Sequence, residues 1–306
     1  MKLNWEGVFP AVTTKFDENL QIDEHWTRVN TEAQLDAGVN GIVVSGSLGE
    51  ASTLDMDEKA ALVRMTADMV DGRVPIVCGV AQRSTKDACR MAEMAAESGA
   101  AGLMLLPPML YTSDRRETMT FLRTVAGATD LPIMLYNNPV GYNVDVTPEM
   151  FQELADEPKF EAVKESSDDV RRITDIINLV GDRYRLFTGV DNIALEALML
   201  GAVGWIAGLV DAFPRETVAI YRLAKAGRYA EAVEIYRWFM PLLHLDVSTK
   251  LVQNIKLAEA MVGRGTETVR PPRLPLAGEE RRRVVRTIEA ALESRPEELV
   301  AKGLAA

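Results

Sequence analysis

A chain of 306 residues can bury a large core, either as one barrel-sized domain or as two smaller ones. Its hydrophobic share of 47% and mean hydropathy of -0.03 are those of an ordinary globular protein, and no apolar run approaches the roughly 20 residues of a membrane span. A net charge of -11 argues against nucleic acid as a partner, because phosphate backbones demand a basic surface, but it leaves room for a small anionic substrate.

Met1 to Glu6 lack the basic and apolar regions of a signal peptide, so a cytoplasmic location is expected. Cys78 and Cys89, the only cysteines, are too few for a disulfide framework or a zinc site, and reduced thiols are expected.

Apolar runs alternate along the chain with amphipathic, helix-length segments. Strands are predicted at 7–13, 41–45, 74–78, 102–106, 132–136, 160–164, 184–188 and 203–206. These runs are continuous and do not alternate with polar residues, as befits strands covered on both faces. Helices are predicted between them at 23–37, 56–70, 84–98, 114–127, 147–156, 168–180, 191–200 and 214–226. Ser84, Thr147-Pro148 and Ser167-Asp168-Asp169 read as helix starts. Gly38, Gly99, Gly127, Gly181, Gly201 and Gly227 stand where C-terminal caps belong.

Eight βα units make a closed (β/α)8 TIM barrel the simplest solution, with a doubly wound open sheet as the alternative. The barrel is expected over 1–227. Residues 228–306 are expected to form a helical extension packed on it, with helices at 229–243, 248–262 and 279–292 and an extended connector at Pro271 to Pro275.

In barrel enzymes the C-terminal ends of the strands form the active face. Lys164 ends the sixth strand. An ammonium leaving the core is partly desolvated, which lowers its pKa and prepares the amine to attack a carbonyl. Tyr136 ends the fifth strand, where a phenol can shuttle protons. After the second strand, Gly46-Ser47-Leu48-Gly49-Glu50 lets the backbone turn so that successive N–H groups can hold an anion, or simply makes a tight βα turn. His25 and His244 lie far apart and read as structural or solvated, Asp168 to Arg172 as a helix start and a solvated face, and no metal or cofactor is expected.

Four stretches in this order and spacing resemble the dihydrodipicolinate synthase / N-acetylneuraminate lyase superfamily. They are Gly46 to Glu50, Tyr136-Asn137-Asn138-Pro139, Val163-Lys164-Glu165-Ser166 and Phe187-Thr188-Gly189-Val190-Asp191. The resemblance covers nearly the whole chain. It implies class I Schiff-base chemistry on a small keto or imino acid by a barrel with a C-terminal helical extension, assembled as a homotetramer (a dimer of dimers). It also implies that Lys164 forms the imine, that Tyr136 relays protons, and that Ser47 with the Leu48 N–H holds the substrate carboxylate. Gly189 and Ile206 would line the pocket.

Two departures separate the chain from the synthase. Gly141 stands where the synthase has an arginine for its second substrate's carboxylate. Ser47, Leu48 and Leu110 replace two threonines and a tyrosine of its hydroxyl relay. The neuraminate lyase pattern also keeps a threonine where Leu48 stands.

The chain is most similar to the branch that acts in hydroxyproline breakdown, the 1-pyrroline-4-hydroxy-2-carboxylate deaminases. That likeness rests on the Gly46 loop, Glu165 to Asp175, Trp205 to Leu209 and Ile235 to Asp246. It implies deamination of a cyclic imino acid to 2-oxoglutarate semialdehyde. The alternatives are 4-hydroxy-tetrahydrodipicolinate synthase or another pyruvate-dependent aldolase and, from a different class, a non-catalytic small-molecule-binding regulator on the same barrel.

Overall fold

The computed structural model describes residues 3–306, so Met1 and Lys2 of the leader reading lie outside the described residues. Eight parallel strands are present: β1 Gly7–Pro10, β2 Ile42–Val44, β3 Ile76–Val80, β4 Gly102–Leu105, β5 Ile133–Asn137, β6 Phe160–Glu165, β7 Arg185–Thr188 and β8 Gly204–Ala207. They follow the order β1-β8-β7-β6-β5-β4-β3-β2. The Ala11–Val43 bridge, with Val12 N donating to Val43 O at 3.0 Å, draws the two ends together. A TIM barrel results, and the open-sheet alternative is excluded.

The helices between strands are α1 Glu24–Ala37, α2 Met56–Val70, α3 Thr85–Glu97, α4 Arg115–Gly127, a short α5 Pro139–Tyr142, α6 Pro148–Glu153, α7 Arg171–Val180, α8 Ala194–Met199 and α9 Pro214–Lys225. Asp23, Asp55, Ser84 and Asp114 cap their helices by accepting backbone N–H bonds. Three local expectations need correction. Gly127 is the last residue of α4, and Ala128 caps it. The predicted 147–156 helix breaks after Glu153 into a 3-10 turn at Leu154–Asp156. The predicted start of α7 at 168 fails because Asp168 has a φ of 63°, left-handed backbone that no helix contains, so α7 begins at Arg171.

Side chains on the strands divide by parity. Val77, Met104, Met134, Tyr136, Phe187 and Ile206 face the barrel axis, and Phe9 and Trp5, stacked on each other, meet Phe187 edge-on to fill its floor. Their neighbours Cys78, Leu103, Leu105, Leu135, Leu186 and Trp205 face the helices. One irregularity matters for function. Between Ile133 and Met134 the β5–β6 register shifts by a residue, leaving Glu161 as the extra residue of β6. Phe160 packs outward and Ala162 inward, so the bulge resets the alternation.

The tail forms α10 Tyr229–Asp246, α11 Leu251–Met261, α12 Gly278–Glu293 and α13 Glu297–Leu304. The last helix was not expected from sequence. It packs on α9, where Gly303 comes so near Ala219 that a Cβ at 303 would lie 2.7 Å from the Ala219 Cβ. Two buried ion pairs tie α11 to the loops above the strands. Lys256 Nζ donates to Glu50 Oε1 at 2.5 Å and to Thr268 O at 2.6 Å, and Lys15 pairs with Glu259 beside Thr13. The connector at 271–275 carries neither helix nor strand. Arg270 anchors it through Glu58 and the carbonyl of Leu20.

Candidate active site

Tyr136 and Lys164 are register partners on adjacent strands and point to the same inner face. The Lys164 Nζ lies over the Tyr136 ring, 3.9 Å from its centroid. Lys164 is 6% exposed and Tyr136 5%. Burial pushes the Lys164 ammonium down to about 8, against the opposing pull of Tyr142, Asp246 and Asp191. Burial also pushes the Tyr136 phenol up to about 12, so it carries its proton at neutral pH. Asn138 Nδ2 donates to the Tyr136 hydroxyl at 3.1 Å.

The ends of these two strands are braced from behind. Glu165 Oε1 accepts from Ser167 N at 2.7 Å, and its Oε2 accepts from Asn137 Nδ2 at 3.2 Å. Asn137 also donates to Asp145, which takes a 2.5 Å bond from Arg172. Arg172 therefore turns inward, whereas Asp168 and Arg171, the latter paired with Asp169, keep to the solvated face read from sequence. His25 and His244 are both exposed.

Gly189, at the end of β7, touches Lys164. A Cβ at 189 would lie 2.7 Å from Lys164 Cγ, and nearer still to its Cε and to Ser166 Oγ. The φ of Gly189 is not positive, so glycine is required by this close approach, not by backbone conformation. Ile206 is 1% exposed and shares the inner layer with Tyr136 and Phe187.

The Gly46 loop turns by a different device than sequence implied. Its left-handed residues are Ser45 (φ 56°) and Glu50 (φ 54°), which flank the two glycines. Gly49 instead gives close approach, since a Cβ there would lie 3.0 Å from Val12 O. The N–H groups of Ser47, Leu48 and Gly49 donate to no described residue. Glu50, held by Lys256, fixes the far end of the loop. The Leu48 side chain packs in the apolar layer between barrel and helices, so only its backbone is available as part of the site.

Sequence reasoning missed Tyr142. Its hydroxyl is hydrogen-bonded to Ser47 Oγ, and its ring meets Tyr136 edge-on at 6.1 Å. A chain of contact therefore runs from Lys164 through Tyr136 and Tyr142 to Ser47, and a hydroxyl pair stands where the substituted relay suggested none. The available signal was a second phenol six residues after Tyr136, in the loop that closes over the strand end. Asp246, at the end of α10, was also passed over as a site residue. Its carboxylate stands over Gly208, where a Cβ would lie 3.0 Å from Asp246 Cγ.

The sequence matches the Dihydrodipicolinate synthetase family over residues 4–291. A relative named 4-hydroxy-tetrahydrodipicolinate synthase, from Methanospirillum hungatei, is 33% identical over 275 residues, covering 89% of this chain and 93% of its own length. The structure of the enzyme of that name from Methylacidiphilum fumariolicum superposes with a TM-score of 0.89 at 29% identity, covering 97% of this chain and 98% of that one. The dihydrodipicolinate synthase of Acinetobacter baumannii complexed with pyruvate gives 0.90 at 25% identity, covering 94% and 99%. With a barrel of eight strands, a buried lysine amine on its inner face and relatives aligned along almost their whole length, the chain belongs to the dihydrodipicolinate synthetase family of class I Schiff-base lyases.

Proposed function

We propose that Lys164 forms the imine with a small α-keto or cyclic imino acid that carries one carboxylate at the reacting end. The observation that carries this reading is the Lys164 amine itself. It is buried, brought down to about 8 and laid on the ring of a phenol that keeps its proton. Tyr136 moves protons to and from the imine carbon's neighbours. Ser47 and the free N–H groups of the Gly46 loop hold the carboxylate, and Gly189 and Ile206 shape the wall beside it.

For the substrate, we favour deamination of 1-pyrroline-4-hydroxy-2-carboxylate. Lys164 attacks C2, the ring opens, a proton leaves C3 and the C4 hydroxyl departs. Water then releases 2-oxoglutarate semialdehyde and ammonia. Gly141 supports this choice, because it supplies no second anion site. The second reading is 4-hydroxy-tetrahydrodipicolinate synthase, favoured by the names of the relatives and by the pyruvate held in the Acinetobacter baumannii neighbour. A homotetramer is proposed with either, and exposed Leu110, Tyr111 and Val140 at the barrel mouth offer an apolar patch for a second subunit.

Borohydride reduction with a panel of keto and imino acids, followed by intact-mass measurement, tests the reading. The expected result is one reduced adduct on Lys164, absent in Lys164→Ala, together with turnover of the hydroxylated imino acid. An adduct with pyruvate alone plus turnover of aspartate semialdehyde would establish the synthase instead. No adduct with any acid would leave a binding protein.

A further inference from the structure

The Schiff-base reading leaves one chemical demand unmet. Whether the C4 oxygen departs as water or arrives as an aldehyde carbonyl, it needs a proton at the moment its bond to carbon changes. C4 lies three bonds, about 4 Å, from the imine nitrogen. Tyr136 sits on the ring side of that nitrogen, next to β6 in the barrel order, and is engaged with Lys164 and Asn138. The opposite side of Lys164 is bounded by the ends of β7 and β8.

On that side two glycines stand in a row. Gly189 is pressed against the Lys164 chain, and Gly208 against the Asp246 carboxylate. At each of them the space a Cβ would take is occupied, by the lysine chain at 189 and by the carboxylate at 208. Asp191 fixes the second of them in place. Its carboxylate takes Trp205 Nε1 at 2.8 Å, Leu209 N at 2.9 Å and Gly208 N at 3.2 Å. Asp191 is thereby fully engaged in structure. Asp246 makes no hydrogen bond or ion pair with any described residue and is only partly exposed.

We propose that Asp246 is the acid–base residue for the oxygen on substrate C4, acting from the β8 side of the barrel while Tyr136 acts from the β5 side. In the eliminating direction the C4–O bond breaks, Asp246 gives its proton to the departing oxygen, and water leaves. The proton lost from C3 in the preceding step balances the one transferred. In the condensing direction the same carboxyl protonates the oxygen of an incoming aldehyde as the C3–C4 bond forms.

The electrostatics agree with the geometry. Burial and the nearby Asp191 and Asp211 raise the Asp246 carboxyl well above the usual carboxylate range, and the Lys164 cation is the force opposing them. Once the lysine nitrogen is the neutral nitrogen of an enamine, that opposition is gone. The carboxyl then holds its proton at the step that consumes it.

Asp246→Asn keeps the shape and removes the proton. This inference rests on the Schiff-base reading, and three measurements separate the two. The variant is expected to form the borohydride-trapped pyruvate adduct and to exchange pyruvate methyl protons with D2O within about threefold of the parent, while turnover at C4 falls by roughly 10²–10⁴. Unchanged turnover overturns the assignment of Asp246 and leaves Lys164 chemistry standing. Equal loss of adduct, exchange and turnover overturns it in favour of a structural role. Absence of adduct in the parent removes both.

Discussion

Replacing Gly189 by alanine puts a methyl group against the side chain on which the proposed chemistry depends. The added carbon would lie 2.7 Å from Lys164 Cγ and nearer to Cε and Ser166 Oγ. Carbon atoms pack at about 3.5–4.0 Å, so Lys164 must move by roughly 1 Å. Two responses compete. The fold can absorb the overlap, at about 1–3 kcal/mol for overpacking. Alternatively, the lysine can swing aside and leave the fold almost unstrained. Lys164 has four rotatable bonds, so the second response dominates.

Gly189→Ala should therefore lose little stability, about 1 kcal/mol or less, and lose imine formation by about 10²-fold, the usual effect of misplacing a reacting group by 1 Å. The assay is the rate of borohydride-trapped pyruvate adduct by intact mass, with thermal unfolding measured in parallel. Trapping within twofold of the parent, at unchanged melting temperature, would refute the contact between Gly189 and Lys164. A large fall in melting temperature would show that the backbone, not the lysine, had moved.

The amine of Lys164 reacts as its free base, so the trapping rate should climb about tenfold per pH unit and level off above pH 8, whereas an ordinary lysine would keep rising past pH 10. The same depression opposes folding. The folded pKa lies below the unfolded one, so the burden is full below about pH 8 and gone above about 10.5. Lys164→Met should abolish the adduct and raise stability at pH 7 by up to about 3 kcal/mol, with the gain fading at high pH in denaturant titrations. A loss of stability on this substitution would contradict the assigned burial. Glu50→Gln leaves Lys256 buried without its counter-charge and should cost about 3–5 kcal/mol by urea unfolding. It should also weaken carboxylate binding through the Gly46 loop, read as a raised pyruvate concentration for half-maximal trapping.

Much of the molecule was legible in one dimension. Continuous apolar runs at regular spacing specified eight strands, because a strand covered on both faces cannot alternate. Lys164 and Tyr136 declared themselves as polar residues closing such runs. The short α13 escaped because eight residues are too few to separate a helical pattern from a chain end, and its helix is held by contact with α9. Tyr142 and Asp246 escaped for another reason. Nothing local distinguishes a loop phenol or a helix-end carboxylate from its solvated equivalents.

Local pattern, then, determined the barrel and named the lysine. Which way that lysine points was decided elsewhere. Were β6 regular from its outward Phe160, parity would send Lys164 outward as well, into the helices. The extra residue Glu161, accommodated against β5 and held by the indole of Trp5 at 3.0 Å, shifts the strand by one and turns the amine onto the face of Tyr136. A bulge of this kind belongs to the pairing of two strands, with its anchor 156 residues away along the chain. No run of residues in β6 contains it, and the reactive amine exists only once the barrel has closed around it.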